Sequence, residues 1–364
     1  MPLQGAMQHK NPAAETAMDP NREMSLDTGA DALVESLLAA GIDTIFANPG
    51  TTEMPIVDAL GRVRNVKVVL CLHETVCSGA ADGYGRMLSK PACILLHLGV
   101  GLANATANLH NAKRASTPML AVVGDLATWH IDKDPVLASD IAGLAGFSSR
   151  FVKTCDSFPD HVSFAVDEAL SAIRDYRAGE SRIATLIIPH DTQRNVLASS
   201  WTAPKGISGS TCKLHGTEVQ SLFTMSTSIH NSICDGSNNV VDQMRSCAEA
   251  LLLRPGSCAI VVGGTGLTQT SAFSALLEIQ TLCRCQLLVE NAFSRVERGT
   301  GRPDWYRIPY FPTDAHRCFE SFDTIVLFGV RHPVAMFGYA DGISNVIPLT
   351  ATCLHIDTMD IPGK

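Results

Sequence analysis

Residues 66–87 read VKVVLCLHETVCSGAADGYGRM. The apolar run ending at Leu72 has the composition of a buried parallel strand, and Glu74 stands where the chain turns into a helix rich in Ala and Gly. A carboxylate is therefore expected at the carboxyl end of a strand, the edge at which open α/β sheets bind ligands. The helix carries Gly79, Ala80, Ala81, Gly83 and Gly85. Each interior glycine costs a helix roughly 1 kcal/mol relative to alanine. Close approach to a neighbour, rather than helix propensity, accounts for so many small residues. Taken alone, Glu74 also reads as a first-turn acid favoured by the helix dipole, an effect of about 0.3–1 kcal/mol.

Upstream, residues 27–41 place Ala30, Leu33, Val34, Leu37 and Leu38 on one helical face that Gly41 closes. A short strand over 44–47 runs into Asn48-Pro49-Gly50. There Thr51 or Thr52 can cap a helix that tolerates Pro55 in its first turn. Downstream, 91–97 (PACILLH) is another buried strand, leading into LGVGLANATANLHNA. Gly99 and Gly101 permit close backbone approach and Asn104 opens a helix, but the pattern lacks the third glycine of a dinucleotide fingerprint. A strand over 117–123, a polar surface loop (WHIDKD), an amphipathic helix over 160–177 and a strand over 182–188 follow. That helix turns Val162, Phe164, Ala165, Val166, Ala169, Leu170 and Ile173 inward. Repeated βα units with buried strands mean a parallel sheet covered by helices on both faces.

Between 201 and 243 Ser, Thr, Asn and Gly displace any period, which marks a linker or insertion. A second α/β unit then begins. It comprises a helix over 244–253, a strand over 257–262 ending in Gly263-Gly264-Thr265-Gly266, a helix over 271–282, and strands over 285–290 and 324–329. The expected fold class is α/β, with two doubly wound parallel-sheet domains over 25–200 and 244–364 behind a disordered leader over 1–24.

Composition narrows the function classes. Of 364 residues 46% are hydrophobic and 18% charged, and 28 basic against 36 acidic residues give a net charge of −8 without a basic run. Nucleic-acid binding is excluded on that basis. No apolar run approaches the ~18 residues of a transmembrane helix, and the leader lacks a signal-peptide hydrophobic region. A cytoplasmic location is expected. Twelve cysteines include Cys71, Cys93 and Cys258 inside apolar strand patterns, with no C-x-x-C and a lone C-x-C at Cys283 and Cys285. They read as reduced core residues, and no residue is assigned to a metal.

His73-Glu74 followed by Ala80-Ala81-Asp82-Gly83-Tyr84 resembles the "HE…A-x-GYAR" segment of thiamine diphosphate (ThDP) enzymes of the acetolactate synthase and benzoylformate decarboxylase group. NPGTTEMP is similar to that group's "NPGSNELP" loop, the glycines before Asn104 to its "G-P-G-x-x-N" loop, and 182–191 to its "GPVLVDVPKD" strand ending. The second unit resembles the family's central domain through "YFP…A…L…D-x-V-L-x-G". The resemblance implies that Glu74 hydrogen-bonds N1′ of the cofactor's aminopyrimidine. It makes His97 and Thr51 candidates for handling substrate, and places Asn48, Pro49, Gly50, Gly99, Gly101 and Asn104 around ThDP. His97 falls where benzoylformate decarboxylases carry a catalytic His; it also reads as a hydrogen-bonded strand-end residue, and Thr51 as a cap. The implied substrate is a 2-keto acid, to be decarboxylated or joined to a second carbonyl, and a homodimer or homotetramer is expected.

The family's third domain, which ligates Mg²⁺ on the diphosphate through Gly-Asp-Gly, has no counterpart motif in this sequence. The resemblance thus covers about 25–364 and two of three domains. GGTG after a strand could cradle a phosphate of FAD, although it is not G-x-G-x-x-G. The alternative to an enzyme is a non-catalytic or regulatory subunit that supplies only the pyrimidine side of a site. A nicotinamide-dependent oxidoreductase is disfavoured, because no strand-to-helix turn carries the complete fingerprint.

Overall fold

The computed structural model describes residues 28–155, 158–176, 179–198, 238–291, 293–338 and 342–356. The leader and most of the 201–243 segment lie outside the described residues.

Helix α1 (Gly29–Ala39) starts on a capping box in which Thr28 and Asp31 satisfy each other, and ends before Gly41 in the left-handed region at φ +78°. Strand β1 (Thr44–Asn48) follows, then a 3-10 turn (Thr51–Glu53), helix α2 (Met54–Arg62), strand β2 (Lys67–Leu70) and helix α3 (Glu74–Leu88). Strand β3 (Ala92–Leu96), helix α4 (Leu98–Arg114) and strand β4 (Met119–Asp125) come next. Short helices α5 (Thr128–Ile131) and α6 (Ile141–Gly146) lead to β5 (Phe151–Thr154), α7 (Val162–Arg174), β6 (Ile183–Pro189) and α8 (His190–Arg194).

These six strands form one parallel sheet in the order β2-β1-β3-β4-β6-β5. Alternate residues of each strand face opposite sides, so two cores result. Ile45, Cys93, Leu95, Val122 and Leu186 pack against α1, α2 and α7. Phe46, Ile94, Leu96, Val123 and Ile187 pack against α3, α4 and α6. The second unit contains α9 (Asn238–Leu253), β7 (Cys258–Val262), α10 (Thr270–Cys283), β8 (Gln286–Val289), β9 (Tyr306–Arg307), α11 (Pro312–Phe319), β10 (Thr324–Phe328) and β11 (Thr352–Ile356). Its sheet is also parallel, in the order β11-β10-β7-β8-β9. The α/β class with two parallel sheets is as the sequence leads one to expect.

Four local readings change. The run before Glu74 is an edge strand, not a buried one: among the described residues β2 pairs only with β1, Leu70 is exposed, and Leu72 is 92% exposed. Apolar composition does not distinguish a central strand from an edge. Helix α4 begins at Leu98, so Asn104 lies inside it rather than at its start. Phe164 faces outward at 67% exposed while Val162, Ala165, Val166, Ala169, Leu170 and Ile173 are buried as expected. Strand β5 carries no run long enough to announce itself. Cys71, Cys93 and Cys258 are free and buried, and burial pushes the Cys93 thiol up to about 12.

Candidate functional site

The order β2-β1-β3 reverses direction between β1 and β3, which makes the carboxyl ends of those two strands the crevice where such sheets bind ligands. The loops that leave these strands meet there. Asn48, at the end of β1, donates its side-chain amide to the Cys71 carbonyl at 2.7 Å, tying the approach to Glu74 onto β1. Pro49 fixes the turn, and the Gly50 N–H donates to Glu53 Oε2 at 2.7 Å. Thr52 Oγ1 donates to Glu53 Oε1 at 2.6 Å, and His97 Nδ1 donates to Oε2 at 2.8 Å. Glu53 is 0% exposed. A buried carboxylate is tolerable only when so fully hydrogen-bonded.

Glu53 is the residue that sequence reasoning missed. The available signal was an acid three residues after the turn glycine, in a loop otherwise without charge. Its bond to Nδ1 orients the His97 ring and leaves Nε2 for a second partner. Gly50 makes the contact possible, since a Cβ there would lie 2.3 Å from His97 Nδ1. His190 Nδ1 donates to the Thr52 carbonyl at 3.0 Å from the end of β6. Neither Thr51 nor Thr52 caps α2, whose N-cap position is Glu53; Thr51 stands exposed at the start of the 3-10 turn.

Glu74 is the first residue of α3, with His73 as N-cap accepting the Thr75 N–H. Its carboxylate is turned inward, and the residue is 9% exposed. Asn104 Nδ2 donates to Oε2 at 3.0 Å. Among the described residues Oε1 accepts no hydrogen bond, and it lies over Gly101, where a Cβ would approach it to 3.1 Å. The Gly101 N–H donates to the His97 carbonyl at 2.8 Å, so one helical turn joins the two acid centres. Gly99 instead meets Ser139 Oγ, from the segment after β4. The small residues of α3 are explained in part by Gly85, which packs on Thr117 and Pro118.

Two further features border the crevice. Asp125, at the end of β4, has its carboxyl held above the usual range by burial and by the charge of Glu53, against a hydrogen bond from the Leu126 N–H. Leu98, between His97 and Gly99, has φ +52°. For a branched apolar side chain that conformation costs about 1–2 kcal/mol.

The second sheet reverses between β7 and β10. Residues 264–267 close into a 3-10 turn after β7, and a Cβ at Gly263 would meet Val330 Cγ1 at 2.3 Å. Val330 thus packs against the first glycine of the GGTG run expected to cradle a phosphate of FAD.

The first site does fit the pyrimidine side of ThDP: a buried carboxylate with one open oxygen, a glycine beneath it, and an asparagine holding the other oxygen. Residues 27–143 match the profile of the thiamine pyrophosphate enzyme N-terminal TPP binding domain. The chain carries, over residues 27–143, the N-terminal domain of thiamine diphosphate-dependent enzymes. Among relatives of this ThDP family, it is 35% identical over 320 residues to a Mycobacterium tuberculosis protein named "Putative acetolactate synthase large subunit IlvX", covering 88% of this chain and 55% of that one. It is 30% identical over 184 residues to acetolactate synthase 3, chloroplastic, of Brassica napus, covering 50% and 27%. The ThDP-dependent 4-hydroxybenzoylformate decarboxylase of Rhodococcus jostii RHA1 shares the fold at a TM-score of 0.67 and 19% identity, over 90% of this chain and 56% of that one. The chain spans about half the length of the acetolactate synthase relative it matches over most of its own length.

Proposed function

We propose that Glu74 hydrogen-bonds the aminopyrimidine of ThDP and that the chain serves decarboxylation or carboligation of 2-keto acids, in the manner of the acetolactate synthases it resembles. The observation that carries this reading is the Glu74 carboxylate itself, with Oε2 held by Asn104 and Oε1 open beside Gly101. When bound, ThDP would supply a thiazolium carbon that, once deprotonated, is a carbon nucleophile suited to the carbonyl of a 2-keto acid. Glu74 would share a proton with the aminopyrimidine, and Asn104 would keep the carboxylate turned for that exchange. His97, tied to Glu53 at Nδ1, has Nε2 to give or take a proton at the keto acid, and the Thr51 hydroxyl serves its carboxylate. On this reading 25–200 is the pyrimidine-side domain and 244–364 the central domain. Mg²⁺ and diphosphate fall to a Gly-Asp-Gly domain outside these residues.

Calorimetric titration of ThDP into the full chain tests the assignment. Glu74→Gln should weaken binding by at least about tenfold, since it replaces a charge-assisted hydrogen bond with a neutral one. Unchanged affinity would overturn it.

A second reading, a chain that lends its pyrimidine side to a site shared with another polypeptide, draws support from the apolar rim beside Glu74. Leu70, Leu72 and Val76 are all exposed there. Sedimentation of the wild type and Leu72→Asp tests this: an assembly that the aspartate breaks supports it, and two identical monomers refute it.

A further inference from the structure

The turn from β3 into α4 contains a backbone conformation that its residue type disfavours. Leu98 is 1% exposed and has φ +52°. The other non-glycine residues with positive φ among those described are Ser89, Ser116, Asp134 and Arg284, all polar. Polar residues of this kind turn up at helix ends and turns; a buried leucine in the left-handed region needs its surroundings to hold it there.

What the turn accomplishes is visible on either side of it. His97 is extended, at φ −88° and ψ 106°, and its ring reaches Glu53 at 2.8 Å. Its carbonyl already accepts the Gly101 N–H at 2.8 Å, as the first bond of α4. The chain therefore passes from strand to helix across the single residue Leu98. With Leu98 right-handed, the strand end that carries His97 and the start of α4 could not both keep their present places, which puts the imidazole's bond to Glu53 under strain. Strained strand-to-helix turns present a side chain above a parallel sheet in the same way.

We propose that Leu98 is a positioning residue: packing of its buried side chain holds the left-handed turn, and the turn aims the His97 imidazole at Glu53. The assignment rests on the reading of His97 as the proton-handling group of the proposed function. The structural part can be tested without cofactor or turnover.

The probe is solvent exchange of the His97 Nδ1 proton, followed by NMR on the full chain labelled with ¹⁵N-histidine. Leu98→Met and Leu98→Ile both keep the buried volume, but the β-branched isoleucine resists positive φ. Leu98→Ile should speed the exchange by about tenfold or more, the factor that matches the strain of a left-handed residue. Leu98→Met and Leu102→Ile, the latter in the right-handed part of α4, should stay within about twofold of wild type. Wild-type exchange in Leu98→Ile, or equal acceleration in Leu102→Ile, overturns the proposal. Failure of the ThDP reading would show separately, as undiminished ThDP affinity in Glu74→Gln with these exchange rates intact.

Discussion

The two sheets of this chain are built alike and reverse direction at comparable points, yet different residues line the two reversals. Between β1 and β3 a fully buried carboxylate takes three hydrogen bonds, and a second carboxylate stands one helical turn from His97. Between β7 and β10 Val330 packs against Gly263. In the same unit Glu290, after β8, has its carboxyl held up by burial, with the charge of Arg331 acting the other way. Topology provides the crevice, and loop residues decide whether it becomes a site.

Substitutions can break this contrast, and the largest effect belongs to Glu53. Glu53→Ala leaves the Gly50 N–H and the His97 ring without their acceptor, and should cost about 3 kcal/mol in urea unfolding. A loss under about 1 kcal/mol would mean that the buried acid is not a structural keystone of the crevice. Gly50→Ala comes next. Its new Cβ falls on the His97 ring, so about 2 kcal/mol of destabilisation and faster exchange of the His97 Nδ1 proton are expected.

The second region should respond with the opposite sign. A carboxyl whose folded-state pKa is raised favours the folded protein when protonated, and that advantage disappears as pH rises through the raised value. Glu290→Gln should therefore gain stability at neutral pH, by less than about 1 kcal/mol because the group is partly solvated. The gain should vanish on acidification, and thermal unfolding at several pH values checks it. The smallest effect is expected at Asp125, raised by burial and by Glu53. Asp125→Asn keeps an acceptor for the Leu126 N–H and should gain a few tenths of a kcal/mol at neutral pH, again lost in acid. A pH-independent difference would mean that the Asp125 carboxyl is not raised in the folded protein.

Much of the candidate site was legible in the chain. Glu74 was marked by its place between an apolar run and a helix of small residues, and His97 by its place at the end of a buried strand. Glu53 was not marked, because an acid two residues before proline at a helix start reads as a first-turn acid. Its burial depends on His97, which is 44 positions away. The same limit explains Leu72: the run that contains it is apolar whether or not a second strand covers it.

By itself the sequence determined the βα repeat, the two sheets and the identity of the acid after the second strand, since those follow from hydrophobic period and short-range turn chemistry. Only the tertiary structure decided which strands lie at the edge, which oxygen of Glu74 stays open, and which acid is buried against His97. Each of these is a contact between segments distant in the chain, and a local pattern carries no record of what will pack against it.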